Sequence, residues 1–229
     1  MSAGPVPARA AAVLLAAGLG ARLGGRPKAL IRLNGEPLVC RALRILNEAG
    51  IDEVTVVLGA RAAEVRALLE PGAAQIVVNE HFRAGQVSSV RAGLAAVSRA
   101  ATAVLVALCD QPLLTAADVD FLLRIHAERR AAATVPRSAH GRGNPVVLAP
   151  RVAAAVLAEG PAVGPRQWLD AHPTEVVYAE VTHHRYAFDL DTVSHCEALV
   201  RATGWSCELP APEAAEPHPA DCQSLSDPT

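Results

Sequence analysis

The chain has 229 residues, of which 51% are apolar and only 3% aromatic, and its formal net charge is −2. That length suits one large domain with tails, and so few aromatics leave Ala, Leu and Val to fill the core, which fits helices packed on a parallel sheet better than a β-sandwich. Near-neutral charge leaves no broad basic field for nucleic acid, so any anion site must be local.

In chain order, the first ten residues carry no basic start leading into a long apolar core. The apolar run that follows is too short to span a membrane, so neither a signal peptide nor a membrane span is expected. Ala11 to Ala16 reads as a buried strand, and Leu38 to Ala49 as a helix stopped by Gly50. Val54 to Leu58 and Gln75 to Val78 read as strands, with a short helix over Ala62 to Leu69 between them. A helix is expected over Ser88 to Ser98, a strand over Ala103 to Leu108, and a helix over Ala116 to Arg130 capped by Thr115 with Asp118 in its first turn. Strands are expected over Ala132 to Pro136, Asn144 to Leu148 and Glu175 to Val181, with helices over Val152 to Ala158 and Arg166 to Asp170. DLDT, Asp189 to Thr192, reads as a strand end before a last helix from about Val193.

This alternation predicts a single Rossmann-like α/β domain over residues 10–204, mostly parallel in its sheet, with helices on both faces. Residues 1–9 and the Pro-, Glu-, Ser- and Asp-rich 205–229 are expected to be disordered. Cys40, Cys109, Cys196, Cys207 and Cys222 form no C-x-x-C pair and read as reduced thiols of a cytoplasmic protein rather than a zinc site. Adjacent His183 and His184 would point to opposite faces of a strand, so they, His81 and His140 read as ordinary surface or core residues. Trp168 and Trp205 read as packing residues.

The stretch LLAAGLGARLGGRPKAL, Leu14 to Leu30, follows a buried strand with glycines and two cations, Arg22 and Lys28. It lacks the third glycine of G-x-G-x-x-G at Leu23, and VTVVLGAR does not end the next strand in an acid, which argues against a dinucleotide site. Arg26 and Pro27 stand where a P-loop needs Lys and Ser or Thr. Backbone N–H groups over Leu15, Ala16, Ala17, Gly18 and Gly20 can instead cradle a triphosphate, with Arg22 as a forked contact and Lys28 as a point charge at the reacting phosphorus.

LAAGLGARLGGRPKAL resembles the L-A-[AG]-G-x-G/S-x-R-[ML]-G-x-x-K signature of nucleotidyltransferases that make molybdopterin dinucleotides. CDQPLL (Cys109 to Leu114), RGNPVVL (Arg142 to Leu148) and DLDT resemble the family's later segments in the same order, over roughly residues 10 to 203. The likeness is strongest to the molybdenum cofactor cytidylyltransferase branch, because Ala17 stands where guanylyltransferases usually carry Gly. NEHFRAGQVSSVRAGL resembles another family segment, and by that match Asn79, Gly85 and Ser89 would lie near the nucleotide. The chain departs from the family at Pro161, where an acid is usual, at Val193 to His195, where Pro-Glu-Asp is usual, and at Asn144, where His is frequent.

The resemblance implies transfer of CMP from CTP to the phosphate of molybdenum-loaded molybdopterin, with pyrophosphate leaving. Mg²⁺ is the expected cofactor, since a triphosphate arrives with it and it takes oxygen ligands. Asp110 is the expected metal ligand, joined by Asp191, with Asp189 as the alternative, while Asp118 and Asp120 read as helix first-turn acids. Asn144 and Arg166 are expected at the acceptor. An ionised phosphate acceptor needs no general base, and none is assigned. The alternatives are a guanylyltransferase, a sugar- or polyol-phosphate nucleotidyltransferase, and a non-catalytic carrier or insertion chaperone for a molybdoenzyme client.

Overall fold

A continuous apolar run becomes a strand when it has neighbours on both edges and helices on both faces. The segment AAAVLLA does so: it forms β1 (Ala10–Ala16), buried from Ala11 onward. The computed structural model describes residues 9–139 and 141–212. After β1 come a glycine-rich loop with two 3-10 turns (Ala21–Leu23 and Lys28–Leu30), the short strands β2 (Arg32–Leu33) and β3 (Glu36–Pro37), α1 (Leu38–Glu48), β4 (Glu53–Leu58), α2 (Ala62–Ala67) and β5 (Gln75–Val78). The chain continues through α3 (Gln86–Ala96), β6 (Ala103–Leu108), α4 (Ala116–Arg129), β7 (Ala133–Ser138), β8 (Gly141–Arg142) and β9 (Val146–Leu148). It ends with α5 (Pro150–Ala158), α6 (Pro165–Ala171), β10 (Val176–Glu180), α7 (Val193–Thr203) and β11 (Cys207–Glu208).

The main sheet runs in the order β10-β7-β9-β6-β1-β4-β5, with β8 paired to β7. β1 lies parallel between β4 and β6, β5 is parallel to β4, β10 is parallel to β7, and β9 runs antiparallel to β6 and β7. The molecule is therefore the mostly parallel α/β domain expected from the alternation. Side-chain alternation sorts the strands onto two faces. Ala12, Leu14, Val54 and Val56 pack against Val39 and Leu46 of α1, Val65 of α2 and Leu122 and Leu123 of α4. Ala11, Val13, Val57 and Val104 pack against Val90 and Leu94 of α3, Val152 and Val156 of α5, and Trp168 and Leu169 of α6.

Some expected bounds shift by two residues: α5 opens at Pro150 rather than Val152, and β9 at Val146 rather than Asn144. Three further expectations change. α3 opens at Gln86 rather than Ser88, since Gly85 at φ 108° turns the chain directly into the helix. No strand precedes DLDT: His184–Ala187 is a 3-10 turn, so His183 and His184 do not alternate across a sheet. The C-terminal segment does not leave the domain at Trp205. β11 pairs with β2, which pairs with β3, and this small antiparallel sheet covers a third apolar cluster. Leu23, Ile31, Leu33, Leu38, Leu190, Cys196 and Leu199 form that cluster, with Trp205, Cys207 and Leu209 packed against it. The guanidinium of Arg41 lies 4.5 Å from the Trp205 ring centre. The remaining expectations for residues 1–8 and 213–229, and for His140, fall outside the described residues.

Candidate active site

The glycines after β1 serve two different needs. Gly20, Gly24 and Gly25 adopt left-handed φ values of 65°, 68° and 71°. A Cβ on Gly20 would sit 1.8 Å from the Arg26 carbonyl oxygen, so only glycine lets the loop close there. Gly20 thus shapes the turn, holding Leu23 and Gly25 amides on its carbonyl at 2.8 and 3.1 Å, and does not line the adjoining cavity. Gly18, where a Cβ would meet open space, does line it, together with Leu15, Ala17, Leu19, Arg22 and Lys28. Ala16 points into the α1 and α4 face of the core instead.

The third apolar cluster brings the charged residues together. Leu23, next to Arg22, and Leu190, next to Asp191, are both buried in it. The Leu190 amide also donates to the Asp110 carbonyl at 2.8 Å, which ties the DLDT segment to the end of β6. The result is a tight charge cluster: the Lys28 ammonium donates to Asp110 Oδ2 and Asp191 Oδ1. The exposed Arg22 guanidinium reaches Asp191 Oδ2 at 2.8 Å. Burial opposes the charge on Lys28, but Asp110 and then Asp191 outweigh it and hold the ammonium above its ordinary value. Burial likewise works against ionised Asp191, yet Lys28 and Arg22 hold its carboxyl below the usual range.

Asp189 stands apart from Lys28. Gln111 Nε2 donates to its Oδ1 at 3.0 Å and to the Tyr186 carbonyl at 3.0 Å. Burial and then the neighbouring Asp110 charge push the Asp189 carboxyl up to about 6. Asp110 Oδ1 is buried with no hydrogen-bond partner. This unpaired oxygen, beside a second carboxylate, fits a hard cation that keeps its waters and shares substrate phosphates. Among the described residues no three His, Cys, Asp or Glu side chains converge as a dedicated metal cage. Cys109 is 6% exposed, and burial pushes its thiol well up, so it packs rather than reacts.

Two cavities meet beside this cluster, at Asp189. The first, about 430 Å³, lies between the glycine loop, Phe82, Arg83, Gly85, Gln86 and Ser89, and the three aspartates. The second, about 810 Å³, is lined by Val87 and Val90 of α3, Val106, Val135 and Val146 of the sheet, Arg142 to Asn144, and Gly164 to Gln167. Gln86, Leu108 and Asp189 line both, so the two spaces adjoin.

Most of the expected site residues converge here. Arg22, Lys28, Asp110 and Asp191 form the charge cluster with Asp189 beside it, Gly85 and Ser89 line the smaller cavity, and Asn144 and Arg166 line the larger one. Asn79 does not line either. It is 7% exposed, its Nδ2 donates to Ser88 Oγ and Ser89 Oγ at 2.9 Å, and its Oδ1 accepts the His81 amide at 3.0 Å. Its role is to hold the β5–α3 loop. Asp118 is a helix acid as expected: it completes a capping box with Thr115 and pairs with Arg185 at 2.9 Å. Asp120 pairs with Arg124 one turn on. Gln111, Gln86 and Arg142 were not singled out from the sequence. Gln111 and Arg142 sit inside or beside motifs that were, so a buried amide in CDQP was the available signal.

A sheet in this order, with a glycine loop at the carboxyl end of β1 and Asp110 at that of β6 facing Asp191, defines the class: a Rossmann-like nucleotidyltransferase fold. Rv0371c from Mycobacterium tuberculosis H37Rv is similar at a TM-score of 0.71 and 27% identity, over 85% of this chain and 99% of that one. The chain belongs to the MobA-like NTP transferase domain family, whose sequence profile matches residues 12–176. Its relatives differ in activity. It is 38% identical over 199 residues to a nicotine blue oxidoreductase of Paenarthrobacter nicotinovorans, covering 82% of this chain and 95% of the relative. It is 38% identical over 132 residues to a probable molybdenum cofactor guanylyltransferase of Opitutus terrae, covering 57% and 61%. It is 36% identical over 169 residues to a 2-C-methyl-D-erythritol 4-phosphate cytidylyltransferase of Streptomyces coelicolor, covering 65% and 62%. Among the described residues no helix is long and apolar enough to cross a membrane.

Proposed function

We propose that the chain is a Mg²⁺-dependent nucleotidyltransferase that moves CMP from CTP to the phosphate of molybdenum-loaded molybdopterin in the cytoplasm. The observation that carries this reading is the joining of two cavities beside one charge cluster, an arrangement suited to two substrates that react with each other. The smaller cavity would take the nucleotide, with its phosphates against Gly18, Arg22 and Lys28. Asp110 and Asp191 would hold Mg²⁺, which supplies charge neutralisation at the phosphates when bound. Lys28 and Arg22 would stabilise charge growing on the α-phosphate and on departing pyrophosphate. The larger cavity would seat the acceptor, with Asn144, Arg142 and Arg166 available to its phosphate. That phosphate is already ionised, so the residues have only to align it.

Two features favour this substrate pair. Ala17 lines the nucleotide cavity at the position where guanylyltransferases usually carry Gly. The acceptor cavity has an aliphatic floor of Val87, Val90, Val106, Leu108, Val135 and Val146, which suits a fused ring better than a polyol that needs many hydrogen bonds. The test is pyrophosphate release with CTP, GTP, ATP or UTP, with and without the pterin, and with Asp110→Ala as control. Pterin-dependent release with CTP alone, lost by at least about 100-fold in the variant, is expected. Release with GTP alone would overturn the choice of base. Nucleotide binding without release would leave the carrier role.

A second reading follows from the relative matched over 95% of its length, which is named an oxidoreductase. The same aliphatic floor would serve a flat redox substrate. Turnover of nicotine blue with an electron donor or acceptor supplied in the assay, with no pyrophosphate release from any nucleotide, would establish it in place of the transferase.

A further inference from the structure

Arg91 is a charged residue on α3 that the chemistry above does not use. Its guanidinium turns away from both cavities and crosses to the end of α5. There Nη1 donates to the carbonyls of Val156 and, at 3.1 Å, Val163. Nη2 donates to those of Leu157 at 3.1 Å and Glu159 at 3.2 Å. The last carbonyls of a helix lack intrahelical partners and carry partial negative charge. One planar cation thus satisfies the end of α5 and the loop that follows it.

That loop leads straight into the acceptor wall. Val163, held by Arg91, precedes Gly164, and Gly164 to Gln167 line the larger cavity together with Gln86, Val87 and Val90. The two segments approach closely, since a Cβ on Gly164 would lie 3.1 Å from Val87 Cγ2. α3 borders both cavities, so a clamp between α3 and this loop sets the acceptor wall relative to the nucleotide site.

We propose that Arg91 is a positioning residue that fixes the Gly164–Arg166 wall against α3 and thereby sets affinity for the acceptor, not for the nucleotide. The kinetic half of this inference rests on the two-substrate reading above; the structural half does not. The test uses the full chain with Arg91→Met, which keeps the aliphatic stem, and Arg91→Lys. Hydrogen exchange in Arg91→Met should speed up about ten-fold across residues 157–167 while β1 and β6 keep their protection. KM for molybdenum-loaded molybdopterin should rise about ten-fold with KM for CTP unchanged, and Arg91→Lys should recover part of it, because one ammonium cannot reach four carbonyls.

Unchanged exchange over 157–167, protection lost evenly along the chain, or the two KM values rising together would overturn the proposal. If the unmodified chain turns over no nucleotide, the transferase reading fails, and the exchange result alone decides whether Arg91 is the clamp.

Discussion

Lys28 stands between two carboxylates, and that geometry separates its structural work from its chemical work. Replacing it with methionine leaves Asp110 and Asp191, both largely buried, facing each other without the cation that compensates them. Breaking a buried ion pair from one side costs up to about 3–5 kcal/mol, less here because Arg22 still reaches Asp191 and the cluster touches solvent. Lys28→Met is therefore expected to lower the thermal midpoint, and its turnover should fall by roughly two to three decades. The double variant Lys28→Met, Asp191→Asn should regain most of the stability and none of the activity. Thermal melts beside pyrophosphate assays check this, and a single variant as stable as the unmodified chain would show that the ion pairs hold nothing together. The residue types of this cluster were legible because glycines and cations after an apolar strand have few other uses. Their pairing was not. The sequence suggested Lys28 on a phosphate, and nothing in residue spacing announces that Leu23 and Leu190, 167 positions apart, share one apolar cluster.

At the level of elements, periodicity located the long strands and helices to within about two residues, because continuous burial and the 3.6-residue stripe both leave a pattern. β2, β3 and β11 are two residues each and too short to show any period, so Trp205 and Cys207 read as tail when they close the third cluster. α3 carries a further constraint hidden in the sequence. Gly93 faces the sheet, and a Cβ there would lie 2.3 Å from Val13 Cγ1 and 2.9 Å from Val57 Cγ2. Gly93→Ala would gain about 1 kcal/mol of helix propensity, whereas overpacking costs about 1–3 kcal/mol. The clash is with two β-branched side chains fixed in neighbouring strands, so we expect net destabilisation of roughly 1–2 kcal/mol in urea unfolding. Adding Val13→Ala should return part of that loss. A stabilised Gly93→Ala protein would mean that α3 can ride away from β1 without cost, and that the wall shared by the two cavities is softer than its packing indicates.

For the whole molecule, alternation of strands and helices gives the mostly parallel sheet but not the antiparallel insertion of β9 between β6 and β7, and the acceptor cavity gathers α3, β9 and α6 from separate parts of the chain. Of its lining, Asn144, Arg166 and Asp189 were visible from the sequence, through motifs rather than spacing. Stability against acid is likewise a property of the assembled layers. His126 of α4 is 5% exposed, with Nδ1 3.0 Å from Thr134 Oγ1 of β7, and burial pulls its pKa from 6.5 down to about 4. Below pH 6.5 the unfolded chain takes up a proton that the folded chain refuses, so the unfolded state gains. The contribution is present in full above about pH 6.5, and falls away as the pH drops toward 4, by roughly 3 kcal/mol in total. His126→Gln removes the titrating group while keeping a polar partner for Thr134. Its unfolding free energy, measured in urea from pH 7.5 to pH 4.5, should decline less steeply than that of the unmodified chain, and the two curves should converge or cross on the acid side. Parallel curves would mean that water reaches His126 and lets it charge in place, and hence that the layer between α4 and β7 opens more readily than its burial implies.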